Sequence, residues 1–188
     1  MTQFKVHCPE TAPEGSQGLL AGLQREVGFV PNIYRVIASS PAALEGVMAL
    51  NTSFGASGFA DAEREIISLA TSVANACPYC IAGHSAFALQ AGVPQETIDA
   101  VRDDRPVLDP TLEVLRITAR TVVLQRGEIA PDQLARFYDA GFSPEEFLEL
   151  LLGVAAKTLT NYASKAADVP FDAEFAENAR SPDFEQAL

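Results

Sequence analysis

The sequence predicts an all-α protein. Apolar residues recur at helical three- and four-residue spacing along most of the chain, and no run of strand length alternates apolar with polar residues. Prolines stand where helices start and glycines where they stop. Leu19, Leu20, Leu23 and Val27 make a short amphipathic helix ending at Gly28, and Val30-Pro31-Asn32 is a break. A short helix from Ile33 to Ser39 stops before Pro41. Ser40-Pro41 reads as an N-cap with proline at the first helical position, and Leu44, Val47, Met48 and Leu50 supply the apolar face that follows, ended by Gly55 and Gly58.

Asp61 is read as the cap of the next helix, with Ile66, Ile67, Leu69, Ala70 and Val73 facing inward. Pro78 opens another helix that runs to Ala91 and is stopped by Gly92. Asp109-Pro110 starts a helix through Leu124, and Pro131 to Ala140 forms one more. Ser143 and Glu146 have the spacing of a capping box and open a long helix to about Ala166. One domain spans residues 1–188, with a helical core over about 15–168. A polar tail over about 169–188 is expected to be partly ordered, against a neighbouring subunit.

The 188 residues are 48% hydrophobic and 20% charged, enough apolar material for one core without a disulfide framework. A formal charge of −12 argues against nucleic acid and against an anionic membrane surface, both of which select clustered Lys and Arg. No stretch has the length and hydropathy of a membrane span, and Met1 to Glu10 lacks the basic and apolar regions of a signal peptide. The chain is therefore expected in the cytoplasm, where a Cys-x-x-Cys pair is more often catalytic or metal-binding than structural.

That pair is the most informative feature. Cys77 and Cys80 stand three apart, His84 four beyond, and Glu65 twelve before Cys77. With a helix from Pro78 and Cys77 as its cap, Cys77, Cys80 and His84 share one face. Both sulfurs then sit where free backbone N–H groups and the helix dipole favour negative charge, which lowers a thiol pKa from its ordinary value of about 8.5. His84 can take a thiol proton and Glu65 can orient the imidazole, provided the chain bends sharply near Asn75 to Pro78. The chemistry that fits is peroxide reduction, with Cys80 attacking, because it lies nearest His84. Cys77, expected to be the more exposed thiol, resolves the product and meets an external dithiol.

The run Glu65-x11-Cys77-x2-Cys80-x3-His84 resembles the signature of the AhpD-like alkylhydroperoxidases of the carboxymuconolactone decarboxylase superfamily. Val30-Pro31-Asn32-Ile33-Tyr34-Arg35-Val36, Ser40-Pro41-Ala42-Ala43-Leu44 and Lys157-Thr158-Leu159-Thr160-Asn161-Tyr162 resemble helices of its peroxidase-related members. The resemblance implies an AhpD-like orthogonal helical bundle and homo-oligomers (dimers, trimers or hexamers). It also implies a peroxidatic second cysteine and a proton relay through Glu65 and His84, with a hydroperoxide substrate and no cofactor. The chain departs from the pattern at Tyr79, where the best-characterised members have histidine; a phenol donates a hydrogen bond but is no base near pH 7. The plain decarboxylase branch lacks the cysteine pair, so the pair argues against lactone decarboxylation.

Other readings stand beside this one. The pair suits a general thiol–disulfide oxidoreductase, or a non-enzymatic redox-responsive scaffold. Zinc would want four ligands, usually a second pair, which His7 and Cys8 could supply; no metal site is expected. Tyr79 reads as packing or gating, and Asn161 and Tyr162 as helix–helix packing. The apolar run Phe147, Leu148, Leu150, Leu151, Leu152 and Val154 is too wide for one face and marks a core helix or a subunit interface.

Overall fold

The computed structural model describes residues 4–179. Their regular structure is α1 (Glu14–Val27), α2 (Asn32–Ile37), α3 (Pro41–Gly55), α4 (Asp61–Ala74), α5 (Pro78–Gln90), α6 (Gln95–Arg102), α7 (Pro110–Leu124), α8 (Pro131–Asp139) and α9 (Pro144–Ala167), followed by a 3-10 turn over Ala173–Asn178. No strand forms among the described residues, as expected. No helix among them is long and apolar enough to cross a membrane.

Helix α4 is the hub. It packs against α5, α6, α7 and α9, while α3 lies along α9. Its Ile66, Ile67 and Leu69 are fully buried and join Ile98, Leu115, Phe137 and Leu150 in the main core. Burying one such side chain stabilises the fold by roughly 1.5–3 kcal/mol. A second cluster (Leu20, Leu23, Leu44, Val47) holds the N-terminal helices. A third surrounds the cysteines, with Ile33, Val36, Tyr79, Val169 and Phe175.

The caps at Ser40, Asp109 and Ser143 form as expected, and Ser143 and Glu146 make the full reciprocal pair. Asp61 does not cap α4. Ala60 holds that position, and Asp61 is the first helical residue, paired with Arg64. Glu63 instead satisfies the Ala60 N–H at 2.8 Å. No helix is read between Gly92 and Asp109, yet α6 forms there. Its N-cap is Pro94, which offers no capping side chain, so the helix depends on burying Ile98 and Val101.

Residues 169–179 fold back onto their own chain. Val169, Asp172 and Phe175 are buried against α2 and α5 of the same chain. The rest of the expected tail lies outside the described residues.

Candidate active site

The bend between α4 and α5 is built from backbone hydrogen bonds. Ala76 N donates to Val73 O at 2.9 Å and Cys77 N to Ser72 O at 3.0 Å, the paired bonds of a Schellman turn. Its left-handed position, usually glycine, is held by Ala76 at φ 48°. Helix α9 braces the turn. Lys165 Nζ donates to Asn75 O at 2.9 Å, Asn75 Nδ2 to Asn161 Oδ1 at 2.9 Å, and Asn161 Nδ2 to Ser72 Oγ at 3.2 Å. The turn leaves Cys77 as the N-cap of α5, with Pro78 at its first position.

This bend lays α5 alongside α4 and brings Glu65 to His84. Glu65 Oε2 and His84 Nδ1 are 2.7 Å apart. The other ring nitrogen, Nε2, faces Lys157 Nζ of α9 at 2.9 Å. A lysine ammonium can only donate, so Nε2 accepts and Nδ1 carries the proton given to Glu65. Burial and the Lys157 charge together lower the His84 pKa, against the opposing pull of Glu65. The imidazole is therefore neutral near pH 7.

Cys77 and Cys80 are free, buried thiols close enough to act on each other's charge. The two share their titration. Cys80 and its backbone N–H, Ser164 and Lys165 bring Cys77 down to about 7 despite burial. Cys80 is pushed up, first by that thiolate and then by burial, while Lys157 and Asn161 act the other way. The pair thus holds one negative charge at lower cost than an isolated thiol does.

Two expectations change. Cys77 is not the more exposed sulfur: it is 0% accessible and Cys80 5%, because the brace from α9 closes over the turn. His84 makes no hydrogen bond to Cys80, since its two nitrogens are taken by Glu65 and Lys157. His7 and Cys8 stand apart from the cysteine pair's surroundings. His7 is bonded to Thr11 O and Ser39 Oγ, and Cys8 to Thr11, and no metal-holding group of His, Cys, Asp and Glu gathers among the described residues.

Cys80, rather than Cys77, opens on a cavity of about 60 Å³, shared with Tyr79, His84, Lys157 and Phe175. Tyr34, His84, Phe87 and Lys157 separate it from an open groove of about 310 Å³ that reaches Met48, Asn51 and Phe54. Tyr79 packs and anchors. Its hydroxyl donates to Asp172 Oδ2 at 2.5 Å and accepts from Ile33 N at 3.2 Å, and its ring meets Phe175 edge-on. Asn161 is buried packing, as expected, and also hydrogen-bonds Asn75 and Ser72; Tyr162 is exposed.

Residues 41–108 match the model of the Carboxymuconolactone decarboxylase family. That segment runs from α3 to just beyond α6 and contains Glu65, both cysteines and His84. The fold is AhpD-like. An alkylhydroperoxidase AhpD core protein, an uncharacterised peroxidase-related protein from Ralstonia eutropha JMP134, superposes with a TM-score of 0.83 at 22% identity over 93% of this chain and 94% of its own. A peroxidase-related protein from Silicibacter sp. TM1040 gives 0.78 at 22% identity over 95% and 94%. The debrominase Bmp8, as a cysteine-to-alanine variant with 2,3,4-tribromopyrrole, gives 0.80 at 16% identity over 95% and 96%. At such identities the likeness establishes the fold. No curated protein matches the chain by sequence.

Lys157 and Asp172 join the site without having been read as part of it. Lys157 carried a signal: it lies on the buried seam of α9, in step with Leu150, Val154, Asn161 and Ser164. Asp172 carried none, because nothing periodic surrounds it.

Proposed function

We propose that the protein is a thiol-dependent peroxidase reducing hydrogen peroxide or organic hydroperoxides. The observation that supports this most is the buried pair of free thiols at the start of α5, with Cys80 lining a cavity beside a Glu65-oriented His84. The Cys80 thiolate attacks one peroxide oxygen. The O–O bond breaks, Cys80 becomes a sulfenic acid, and the departing alkoxide takes a proton to leave as alcohol. Cys77 then attacks the Cys80 sulfur, forming the disulfide and releasing water. An external dithiol reduces that disulfide by exchange and is itself oxidised. Glu65 and His84 act as the proton relay of the site, fixed in one tautomer.

Both sulfurs are buried, so a small dithiol suits the last step better than a folded protein disulfide. That speaks against a general thiol–disulfide oxidoreductase. The test is steady-state hydroperoxide consumption with a small dithiol. Parent protein turns over; Cys80→Ser does not, and Cys77→Ser stops after one oxidation. Full turnover by Cys80→Ser would contradict the proposal.

The fold shared with a debrominase supports a second reading, in which the Cys80 thiolate takes bromine from a brominated ring lying in the larger groove. The ring carbon gains a proton, Cys77 closes the disulfide and bromide leaves. Bromide release from a bromopyrrole, without hydroperoxide consumption, would favour it.

We also propose a homo-oligomer. Helix α9 presents Leu148, Leu152, Ala155, Leu159, Tyr162 and Ala166 at alternating four- and three-residue steps on its outer side, the spacing at which two helices pack. Leu148 is 66% exposed and Tyr162 59%, which a second copy would cover.

A further inference from the structure

We propose that Lys157 is the charge-positioning residue of the cysteine pair: its ammonium draws the shared negative charge onto Cys80, the sulfur that faces the cavity. This rests on the reading of Cys80 as the attacking sulfur. A buried ammonium has to be compensated, yet no carboxylate lies within ion-pair range of Lys157 among the described residues. Its one hydrogen-bond partner is His84 Nε2, at 2.9 Å. Glu65, the nearest acid in that chain of contacts, is spent on the far nitrogen of the ring. Lys157 therefore carries an unbalanced positive charge on the wall of the cavity that Cys80 also lines. The anion it lacks is the Cys80 thiolate.

The arrangement also explains a geometric oddity. His84 lies one turn along α5 from Cys80, yet both its nitrogens are engaged elsewhere. Besides its place in the proton relay, it holds Lys157. Glu65 fixes the imidazole tautomer, and the free lone pair on Nε2 fixes the ammonium beside the cavity. Opposite pulls act on the two sulfurs from one helix: Lys157 on Cys80, and Lys165, two turns later, on Cys77. Moving the charge to Cys80 requires the Lys157 pull to persist when substrate enters. The other titratable groups around Cys80 are Cys77, Tyr79 and His84 on α5, Glu65 on α4, Tyr34 on α2 and Asp172 after α9.

The test isolates one thiol. In a Cys8→Ser, Cys77→Ser background, the rate of Cys80 alkylation by iodoacetamide is followed against pH. Lys157→Gln keeps a side chain that can hydrogen-bond His84 but removes the charge; Lys157→Arg keeps the charge. Removing an opposite charge from the cavity wall raises a thiol titration, and a rise of about one unit makes Lys157→Gln alkylate about tenfold more slowly at pH 7. The pH midpoint should move up, and Lys157→Arg should retain the parent profile. Lys157→Met serves as a second neutral variant, and melting curves show which variants fold. An unchanged midpoint in Lys157→Gln, or an Arg variant as slow as the Gln one, would overturn the proposal. No peroxide enters this measurement. A protein that consumes no hydroperoxide but shows the Lys157-dependent profile loses the peroxidase reading alone.

Discussion

The Tyr79 hydroxyl donates to Asp172 Oδ2 at 2.5 Å, tying the first turn of α5 to a segment 93 residues away in sequence. Asp172 also accepts from Asn32 N at 3.0 Å, which anchors the start of α2. The two contacts seat residues 169–179 as a roof, with Phe175 over Gly83 and against Tyr79 and Phe87. A histidine at position 79 would offer a base here; the tyrosine offers an anchor.

Asp172→Ala leaves the Tyr79 hydroxyl and the Asn32 amide without their shared acceptor. Losing a buried hydrogen-bond partner costs about 1–3 kcal/mol. Thermal unfolding should show that loss, and hydrogen exchange should speed up over Ala173–Asn178. Unchanged protection there would mean that the roof is held by Phe175 alone.

His84 gives the pH dependence a definite sign. Its pKa in the folded chain is depressed, so between that value and the ordinary imidazole value of about 6.5 the unfolded chain binds more protons than the folded one. Stability is therefore fully present above the ordinary value and lost as pH falls through the folded one. An imidazolium would also point an N–H at Lys157 and break that contact. With only His7 and His84 in the chain, proton NMR of the ring C2 hydrogens resolves both. His84 should titrate below the ordinary range, and lower still in Glu65→Gln. A His84 titration above that range would contradict the assignment of charges.

Two backbone positions test the frame. Ala76 holds a left-handed conformation at φ 48°, which costs an L-residue roughly 1–2 kcal/mol. Ala76→Gly should relieve part of this and raise the melting temperature. Gly153→Ala should do the reverse. A Cβ there would stand 2.5 Å from the Phe54 ring, and the forced shift of α3 against α9 costs typically about 1–3 kcal/mol.

The outer face of α9 predicts association. A charge at Leu159 and another at Tyr162 (Leu159→Glu with Tyr162→Glu) should yield monomers in light scattering at concentrations where the parent is larger. A parent monomer would remove the basis for the pairing.

Much of this was legible from residue patterns. Helix ends were set by local chemistry: the Ser143 cap with Glu146, the Gly28 stop and the Pro78 start all act within one turn. Glu65 and His84 were legible as a pair because each stands at a fixed place on a helix flanking one bend. The sulfur environment was not. Whether Cys77 or Cys80 sees the cavity depends on how α9 crosses the turn, through Asn161 and Lys165, and no local pattern encodes that crossing. Helix α6 was hidden for the same reason: tertiary burial of Ile98 holds it, not its cap. Asp172 acts across 140 residues on Asn32, beyond the reach of any periodicity.

The most direct measurement adds one equivalent of hydroperoxide to the reduced protein and maps the thiols by mass spectrometry. The account predicts a Cys77–Cys80 disulfide, with Cys8 still free, and in Cys77→Ser a sulfenic acid on Cys80. Both site thiols unchanged, or oxidation confined to Cys8, would contradict it.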